Sequence, residues 1–359
     1  MFNQDFWLGK RVLITGHTGF KGSWLLLILN QLGARIWTYS LEPDQDPSLF
    51  SQLSSLMPPG NNWQHQIGDL ADLNALTDLV NRSQPEVVVH LAAQPLVRRS
   101  YIDPLGTWRT NVMGSLHLLE ALKGLRHSCA VVMVTTDKVY QNREWVHGYR
   151  ETDRLGGHDP YSASKAGAEL AVASWRASFC GSAEHQTTYL KIATARAGNV
   201  IGGGDWSKDR IVPDVIRALS VGESIPVRNP LATRPWQHVL EPLAGYLKLA
   251  EILASDADPP CEAFNFGPDL SSNRTVEELV QQMLIGWPGR WVDQRTVDAP
   301  HEANLLHLQI DKANRRLGWS PRWDFSTTVN RTVSWYRGHH DGRPALECCL
   351  DDLNAFTKD

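Results

Sequence analysis

Short runs of consecutive apolar residues alternate with longer segments of helical periodicity along the first half of the chain. Runs without strict alternation of apolar and polar positions are typical of strands that are buried on both faces of a parallel sheet. The predicted strands span residues 11–15, 34–41, 64–69, 86–93, 129–135 and 188–194. The predicted helices between them span residues 23–32, 72–83, 104–123 and 160–179. This order predicts an α/β protein with a Rossmann-like, doubly wound parallel sheet.

The pattern changes after residue 198, where three consecutive glycines and frequent prolines predict long loops. Shorter helices are predicted at residues 211–221, 243–254 and 275–285, and the last clear helix ends at residue 338. We therefore expect a cofactor domain at 1–198 that also receives later segments of the chain. A smaller C-terminal substrate-binding lobe follows at 199–340, and a polar, peripheral tail at 341–359.

Composition excludes several classes of protein. The 359 residues are 42% hydrophobic and 21% charged, which is typical of a folded globular protein. A formal net charge of −4 gives no electrostatic basis for binding nucleic acid or an anionic membrane. The longest apolar stretch, 24–29, is too short to span a bilayer, and 1–10 does not resemble a signal peptide. Five scattered cysteines without a Cys-x-x-Cys pair predict a reduced, cytoplasmic protein without disulfides or structural zinc.

A glycine-rich turn joins the first predicted strand to the first predicted helix. Within it, the candidate cofactor-binding residues are Gly16, Thr18, Gly19, Phe20, Lys21 and Gly22. Glycine permits a tight turn and lets a pyrophosphate approach the backbone N–H groups at a helix N-terminus. At the first strand–helix junction of an alternating chain, this motif predicts a dinucleotide-binding site.

The Gly-x-x-Gly-x-x-Gly spacing of this turn resembles the extended short-chain dehydrogenase/reductase family. The resemblance implies a nicotinamide cofactor whose ribose is bound by an acid after the second strand, where Glu42 is the candidate. Because no arginine follows closely to bind a 2′-phosphate, NAD is expected instead of NADP. Asp69 and Leu70 resemble the adenine-contacting pair of this family. The cofactor would lie against the sheet edge at the end of the fourth strand, beside Leu91, Ala92, Ala93 and Gln94.

Tyr161 and Lys165 form a second motif, Tyr-Ser-Ala-Ser-Lys, near the start of a predicted helix. Side chains at positions i and i+4 share one face of a helix. A phenol is a poor base at neutral pH, but a nearby ammonium and a positive nicotinamide both favour phenolate. We therefore expect Tyr161 to take a proton from a sugar hydroxyl as hydride leaves for NAD, and Lys165 to hold the nicotinamide ribose.

The residues after the fifth strand narrow the reaction. Thr136, Asp137 and Lys138 stand in the segment Thr-Thr-Asp-Lys-Val-Tyr, which resembles the nucleotide-sugar 4,6-dehydratases. With its lysine, the segment resembles those dehydratases among them that act on CDP-glucose. The resemblance implies a hydro-lyase that oxidises C4 of the sugar, eliminates water across C5 and C6, and returns hydride to C6. Thr136 would position the C4 hydroxyl and Asp137 would protonate the C6 hydroxyl, whereas Lys138 is either the C5 base or an electrostatic stabiliser of the enolate.

Further segments between residues 10 and 335 resemble the same family. Candidate substrate-binding residues, either arginines suited to a diphosphate or residues matched by resemblance, are Asn111, Asn199, Arg210, Arg234 and His301. His301 and Glu302 do not begin a zinc-binding His-Glu-x-x-His motif, because Leu305 occupies the fifth place. No metal site is therefore expected.

The resemblance also implies partners and a pathway. CDP-glucose is the expected substrate, and the chain is expected to form a homodimer or a dimer of dimers through helices 104–123 and 160–179. The product would feed deoxysugar biosynthesis for surface polysaccharides such as lipopolysaccharide. Two alternatives stay open, namely a dTDP-glucose 4,6-dehydratase or other nucleotide-sugar epimerase/dehydratase, and a non-catalytic NAD-binding module. Lys138 argues against the first, and the combination of Thr136, Asp137, Tyr161 and Lys165 argues against the second.

Overall fold

A parallel sheet lies at the centre of the computed structural model, which describes residues 2–60, 62–180, 188–295 and 305–358. The strands are β1 (Arg11–Thr15), β2 (Arg35–Ser40), β3 (Trp63–Ile67), β4 (Val87–His90), β5 (Cys129–Val134), β6 (Leu190–Ala197), β7 (Val200–Ile201), β8 (Ile225–Val227), β9 (Thr233–Pro235), β10 (Gln237–His238), β11 (Ala263–Phe266), β12 (Asn273–Thr275) and β13 (Trp291–Asp293). Seven of them pair in parallel in the order β11–β6–β5–β4–β1–β2–β3. Successive strands are added to one side of β1 up to β3 and to its other side from β4 onwards. In such sheets ligands bind outside the carboxyl ends of the strands at the point where the strand order reverses, here between β1 and β4.

Helices cover the sheet on both sides. They are α1 (Gln4–Trp7), α2 (Phe20–Gln31), α3 (Leu49–Ser54), α4 (Leu73–Ser83), α5 (Val97–Ile102), α6 (Pro104–Trp108), α7 (Gly114–Leu122), α8 (Pro160–Phe179), α9 (Ile211–Ser220), α10 (Leu240–Ser255), α11 (Val276–Gly286), α12 (Asp311–Leu317), α13 (Phe325–His340) and α14 (Ala345–Lys358). Short 3₁₀ turns occur at Asp137–Val139 and Leu270–Ser272. None of the described helices is long and apolar enough to cross a membrane.

Two apolar clusters form the core, one on each face of the sheet. Val12 and Ile14 of β1 point into the larger cluster, which also contains buried residues of α2, α10, α13 and α14. Leu13 points the opposite way, into a cluster with α4 and α7. Because successive residues of each central strand face opposite clusters, the strands have no polar face. This explains the consecutive apolar runs in the sequence.

The helix predicted at 104–123 is divided in the structure. Helix α6 ends at Trp108, the stretch Arg109–Met113 is π-helical, and α7 begins at Gly114. The side chain of Asn111 lies in the wider turn and is buried. Hydrogen bonding from i to i+5 inserts an extra residue into the turn and is frequent near functional sites.

The C-terminal segment packs against the core, so the prediction of a peripheral tail at 341–359 is wrong for its described part. Cys349 and Phe356 of α14 are buried in the larger apolar cluster. The indole Nε1 of Trp335 in α13 donates a hydrogen bond to Cys349 Sγ at 3.3 Å. The apolar residues of α14 share one helical face, and the charged residues between them concealed that face in the sequence.

Candidate active site

The glycine-rich turn between β1 and α2 lies against the end of β4. Gly16 has a φ of +80°, and a Cβ atom there would lie 2.6 Å from the backbone N of Ala92. A Cβ atom on Gly22 would lie 2.1 Å from the carbonyl oxygen of Gly16. Both positions therefore require glycine. A Cβ atom on Gly19 would meet only the Gly16 oxygen, at 3.5 Å, so a concave backbone surface stays open at the N-terminus of α2. This surface fits the diphosphate of a dinucleotide.

Side chains of the same turn connect it to neighbouring elements. Thr18 Oγ1 lies 2.7 Å from Ser40 Oγ and donates to the Leu41 carbonyl at 2.9 Å, which ties the turn to the end of β2. Phe20 packs against the larger apolar cluster. Burial, together with the nearby charge of Arg210, lowers the pKa of Lys21 to about 8. Lys21 therefore brings a cation to a helix N-terminus, where a cation is unfavourable unless an anion binds there.

The predicted adenosine-binding residues lie along the ends of β2 and β3. Glu42 is exposed two residues after β2. Asp69 is also exposed, and its Oδ1 accepts a hydrogen bond from Ala71 N at 2.9 Å. Leu70 is buried beside Gly114 of α7. Because β1, β2 and β3 are parallel, these residues share one sheet edge with the glycine-rich turn.

The residues after β4 form a braced loop. Leu91 N donates to the Thr15 carbonyl at 3.0 Å, and Ala92 and Ala93 follow as partly buried residues. Gln94 N donates to Asn111 Oδ1 at 2.8 Å. Asn111 Nδ2 also lies 2.8 Å from Ser164 Oγ in α8 and donates to the Gln94 carbonyl. Asn111 thus joins this loop to α8, and its contact with substrate stays a prediction.

Thr136, Asp137 and Lys138 follow β5 directly, and the first two are buried. Thr136 Oγ1 donates to Asp137 Oδ1 at 3.0 Å. The other carboxyl oxygen, Oδ2, is buried and has no hydrogen-bond partner among the described residues. Burial raises the pKa of Asp137, although the positive charge of Lys138 opposes the shift. Burial therefore shifts the carboxyl group towards its protonated form, which is the form of a proton donor.

Helix α8 places Tyr161 and Lys165 beside these residues. It begins at Pro160, and the Asp159 side chain accepts from Ser162 N at 2.9 Å as its N-cap. Lys165 is buried and donates to the Val134 carbonyl at 2.9 Å. Burial lowers the pKa of Lys165 to about 8, against the opposing charge of Glu169.

The pKa of the Tyr161 phenol is higher than the sequence-based expectation. Burial raises its pKa to about 12, although a hydrogen bond with Thr136 acts in the opposite direction. The residues of the chain therefore do not make Tyr161 a base at neutral pH by themselves. An additional positive charge beside the phenol is required, and the ring of a bound nicotinamide carries one.

Among the described residues, three of the predicted substrate-binding residues follow β6 in the chain. Arg210 precedes α9 and donates from Nη1 to Asp205 Oδ2 at 2.8 Å. Arg234, in β9, donates to the Thr233 carbonyl at 2.9 Å and is close enough to Asp137 to lower its pKa. Asn199 lies partly buried between β6 and β7, whereas His301 lies outside the described residues. No cluster of metal-binding side chains occurs within the described ranges.

A buried ion pair behind the site was not predicted. Glu169 lies one turn after Lys165 in α8, and Arg196 Nη2 donates to its Oε2 at 2.8 Å. Glu169 also accepts hydrogen bonds from the hydroxyls of Thr135 and Thr194. These bonds fix α8 to the ends of β5 and β6. The sequence signal was the i, i+4 spacing of Lys165 and Glu169, whereas the position of Arg196 follows only from the sheet.

His90, at the end of β4, gives this site a pH-dependent stability. It is buried, with Nδ1 2.7 Å from Thr15 Oγ1 and Nε2 3.0 Å from Ser115 Oγ. Burial lowers its pKa from 6.5 to about 3, so between these values the unfolded chain binds a proton that the folded chain does not. Stability therefore falls with falling pH, and from pH 7 to pH 5 we expect wild type to lose about 2 kcal/mol more than His90→Asn. Urea unfolding at both pH values measures the difference, with the exposed His340→Asn as control.

Comparison with protein-family models matches residues 12–267 to the NAD dependent epimerase/dehydratase family. The chain belongs to this family. This family is NAD-dependent, so the prediction that NAD is the cofactor is confirmed.

Relatives and solved structures agree with this assignment. The chain is 45% identical to the CDP-glucose 4,6-dehydratase of Salmonella typhimurium, over 99% of this chain and 98% of the relative. It is 32% identical to the dTDP-glucose 4,6-dehydratase of Streptomyces antibioticus, over 91% and 92% of the two chains. Among solved structures, the epimerase Mth375 of Methanothermobacter thermautotrophicus has a TM-score of 0.78 at 22% identity, covering 94% of this chain and 96% of the other. The dTDP-glucose 4,6-dehydratase of Bacillus anthracis in complex with NAD has a TM-score of 0.74 at 20% identity, covering 94% and 99%. These structures confirm the predicted fold.

Proposed function

We propose that this protein converts CDP-D-glucose to CDP-4-keto-6-deoxy-D-glucose with net loss of one water molecule. The observation that carries the dehydration is the buried Asp137, whose Oδ2 is unpartnered among the described residues, next to Thr136. A hydride transfer alone needs no such acid, whereas an elimination needs a proton for its leaving group. The choice of CDP-glucose is supported by 45% identity to a CDP-glucose 4,6-dehydratase over 99% of this chain.

Residues of the cofactor lobe would hold NAD along the edge of the sheet. The concave surface beside Gly19 would take the diphosphate, Glu42 the adenosine ribose, and Lys165 the nicotinamide ribose. The other proposed cofactor contacts are Gly16, Thr18, Phe20, Lys21, Gly22, Asp69, Leu70, Leu91, Ala92, Ala93, Gln94 and Tyr161. When bound, NAD supplies the hydride acceptor and a positive charge that favours the phenolate of Tyr161.

In the oxidation step Tyr161 accepts the proton of the C4 hydroxyl as hydride leaves C4. Thr136 hydrogen-bonds the same hydroxyl and orients it, and the hydrogen bond between Thr136 and Tyr161 supports this shared geometry. The ammonium of Lys165 stabilises the phenolate. Oxidation at C4 acidifies the C5 proton, so the elimination can follow.

In the elimination step Asp137 protonates the C6 hydroxyl, which leaves as water. The hydride taken from C4 would then be returned to C6 and C5 would regain a proton, so that the net change is the loss of one water molecule. Lys138 either removes the C5 proton or stabilises the enolate.

We expect Asp137→Asn to lower product formation by about 10²- to 10³-fold, while C5 still exchanges its proton with solvent. Deuterium incorporation at C5 in heavy water separates the two steps. Undiminished exchange in Lys138→Ala would exclude the lysine as the C5 base, and loss of exchange in Asp137→Asn would contradict the role of the aspartate.

A substrate panel tests the proposed reaction. The protein is incubated with CDP-glucose, dTDP-glucose or GDP-mannose, and the 4-keto-6-deoxy product is measured. We expect product from CDP-glucose at the highest kcat/KM. Preferred turnover of dTDP-glucose would contradict the proposed base, and absence of product from all three with NAD bound would favour a non-catalytic module.

We also propose that the chain forms a homodimer through α5, α6 and α8. These helices contact one another and expose large apolar side chains, with Ile102 at 85%, Leu105 at 77% and Leu170 at 62% exposure. Large apolar side chains exposed on neighbouring elements support an interface there. Ile102→Glu places a charge in it, and we expect the variant to elute as a monomer in size-exclusion chromatography with light scattering. A monomeric wild type would contradict the dimer.

The cytoplasm is the compartment that we propose. All five cysteines are free, and three of them are buried. Thiols without disulfides persist in a reducing compartment. Cell fractionation with an antibody against the protein measures the location, and recovery in an oxidising compartment would contradict it.

A further inference from the structure

Arg210 is held on one side only. Its Nη1 donates to Asp205 Oδ2 at 2.8 Å, and this is its sole hydrogen bond among the described residues. The Nε and Nη2 groups form the other edge of the planar guanidinium and have no protein acceptor there. Because an arginine can bind a carboxylate at one edge and a phosphate at the other, this edge is available to an anionic ligand.

Asp205 is fixed on several sides. It is buried, and its Oδ1 accepts a hydrogen bond from Ser207 N at 3.1 Å. Its carbonyl accepts from the hydroxyl of Tyr336, a buried residue of α13, at 2.6 Å. Gly204 before it has a φ of +84°, which suits glycine alone. Asp205, the carboxylate that holds Arg210, therefore has little freedom to move.

The guanidinium of Arg210 lies near the reaction centre. Its charge lowers the pKa of both Tyr161 and Lys21, so the guanidinium is close to the two groups. Lys165 and Arg234 add further positive charge to the same region. Asp205, bonded to Arg210, and Asp137 are carboxylates in this group of cations, and burial raises the pKa of Asp137. The excess of positive charge fits a ligand with two negative charges, such as a diphosphate ester.

Arg228 shows the contrast. Its Nη1 donates to Asp209 Oδ1 at 2.9 Å and its Nη2 donates to Asp214 Oδ2 at 3.3 Å, so both terminal nitrogens are bound to carboxylates. The pair lies at the surface, where ion pairs contribute little. Arg228 therefore carries the same guanidinium group as Arg210, but carboxylates of the protein already occupy both of its terminal nitrogens.

We propose that Asp205 is a positioning residue for the substrate diphosphate, because it fixes one edge of Arg210 and presents the Nε and Nη2 edge to a phosphate oxygen. Naming the diphosphate of a nucleotide sugar rests on the proposed function. Asp205 itself does not touch the substrate. It contributes by pre-organising the guanidinium, which reduces the conformational entropy lost when the phosphate binds.

Binding of CDP and of cytidine to the NAD-loaded protein tests the proposal. Asp205→Asn removes the charge that holds Arg210, so we expect the Kd for CDP to rise about tenfold and the Kd for cytidine to stay within about twofold. The KM for CDP-glucose should rise with the Kd for CDP, while kcat changes less. The matched control Arg228→Ala should leave both Kd values unchanged.

A double-mutant cycle shows whether Asp205 acts through Arg210. Arg210→Ala should weaken CDP binding by itself, and Asp205→Asn should add less than about twofold in that background. Equal loss of CDP and cytidine binding, or full additivity of the two substitutions, would overturn the proposal.

If Asp205→Asn does not fold, Tyr336→Phe loosens the hold on Asp205 and should weaken CDP binding but not cytidine binding. Failure of the proposed function is separate, because wild type would then show no turnover of CDP-glucose.

Discussion

Replacing Tyr161 with phenylalanine will lower kcat for CDP-glucose by about 10³-fold, while the protein still folds and binds NAD. The phenol is the group that we propose as acceptor of the C4 proton, and it lies next to Thr136 in the helix that carries Lys165. Phenylalanine keeps the aromatic ring and removes only the atom that exchanges the proton. Formation of the 4-keto-6-deoxy product at saturating substrate and NAD measures kcat separately from KM.

Tyr189→Phe is the matched control for this substitution, because the Tyr189 side chain is exposed outside the site. We expect its kcat to stay within about twofold of wild type. A Tyr161→Phe variant that keeps kcat within about tenfold of wild type would exclude the phenol as the principal base. NAD binding to Tyr161→Phe, measured by calorimetry, shows that the cofactor site is intact.

Replacing Glu169 with glutamine will lower the free energy of unfolding by about 3–5 kcal/mol. Burial would raise the pKa of Glu169, but Arg196 and the hydrogen bonds to the carboxylate keep it below its usual range. Glutamine leaves the charge of Arg196 buried and uncompensated. Urea unfolding at pH 7 measures the loss, and Glu347→Gln, in an exposed pair with Arg343 at 4.0 Å, is the control with a loss close to zero.

The same variant has an effect on catalysis that a loss of stability would not produce. The charge of Glu169 opposes the lowering of the Lys165 pKa. Without that charge, Lys165 loses its proton at a lower pH, so the alkaline decline of kcat should move to lower pH. A loss of stability below about 1 kcal/mol, or an unmoved alkaline limb, would contradict the role given to Glu169.

The predictable parts of this molecule are those with a local signal. Helix α8 has the bounds predicted for it because Asp159 caps it and Pro160 opens it. The positions of Tyr161 and Lys165 on one face follow from the same helix. The doubly wound parallel sheet was also predictable from the alternation of apolar runs and helices, apart from β11, which lies far along the chain and closes one edge of the sheet beside β6.

The parts that were not predictable depend on contacts between distant segments. The π-helical turn at Asn111 inserts a single residue within a short helical segment, and so small a shift is not visible in the periodicity of the sequence. Glu169 and Arg196 meet only because α8 crosses the ends of β5 and β6. The raised pKa of Tyr161 likewise depends on burial, and the motif that contains it carries no information about burial.

The burial of α14 has a consequence for the order in which the protein matures. Trp335 contacts Cys349 of α14, and its neighbour Tyr336 holds Asp205, which in turn holds Arg210. During synthesis the residues of α14 are the last of these to leave the ribosome, whereas β1 and α2 emerge early. A nascent chain can therefore assemble its glycine-rich turn long before the support for Arg210 is complete. The proposed diphosphate anchor would therefore be completed only after the cofactor-binding turn has left the ribosome.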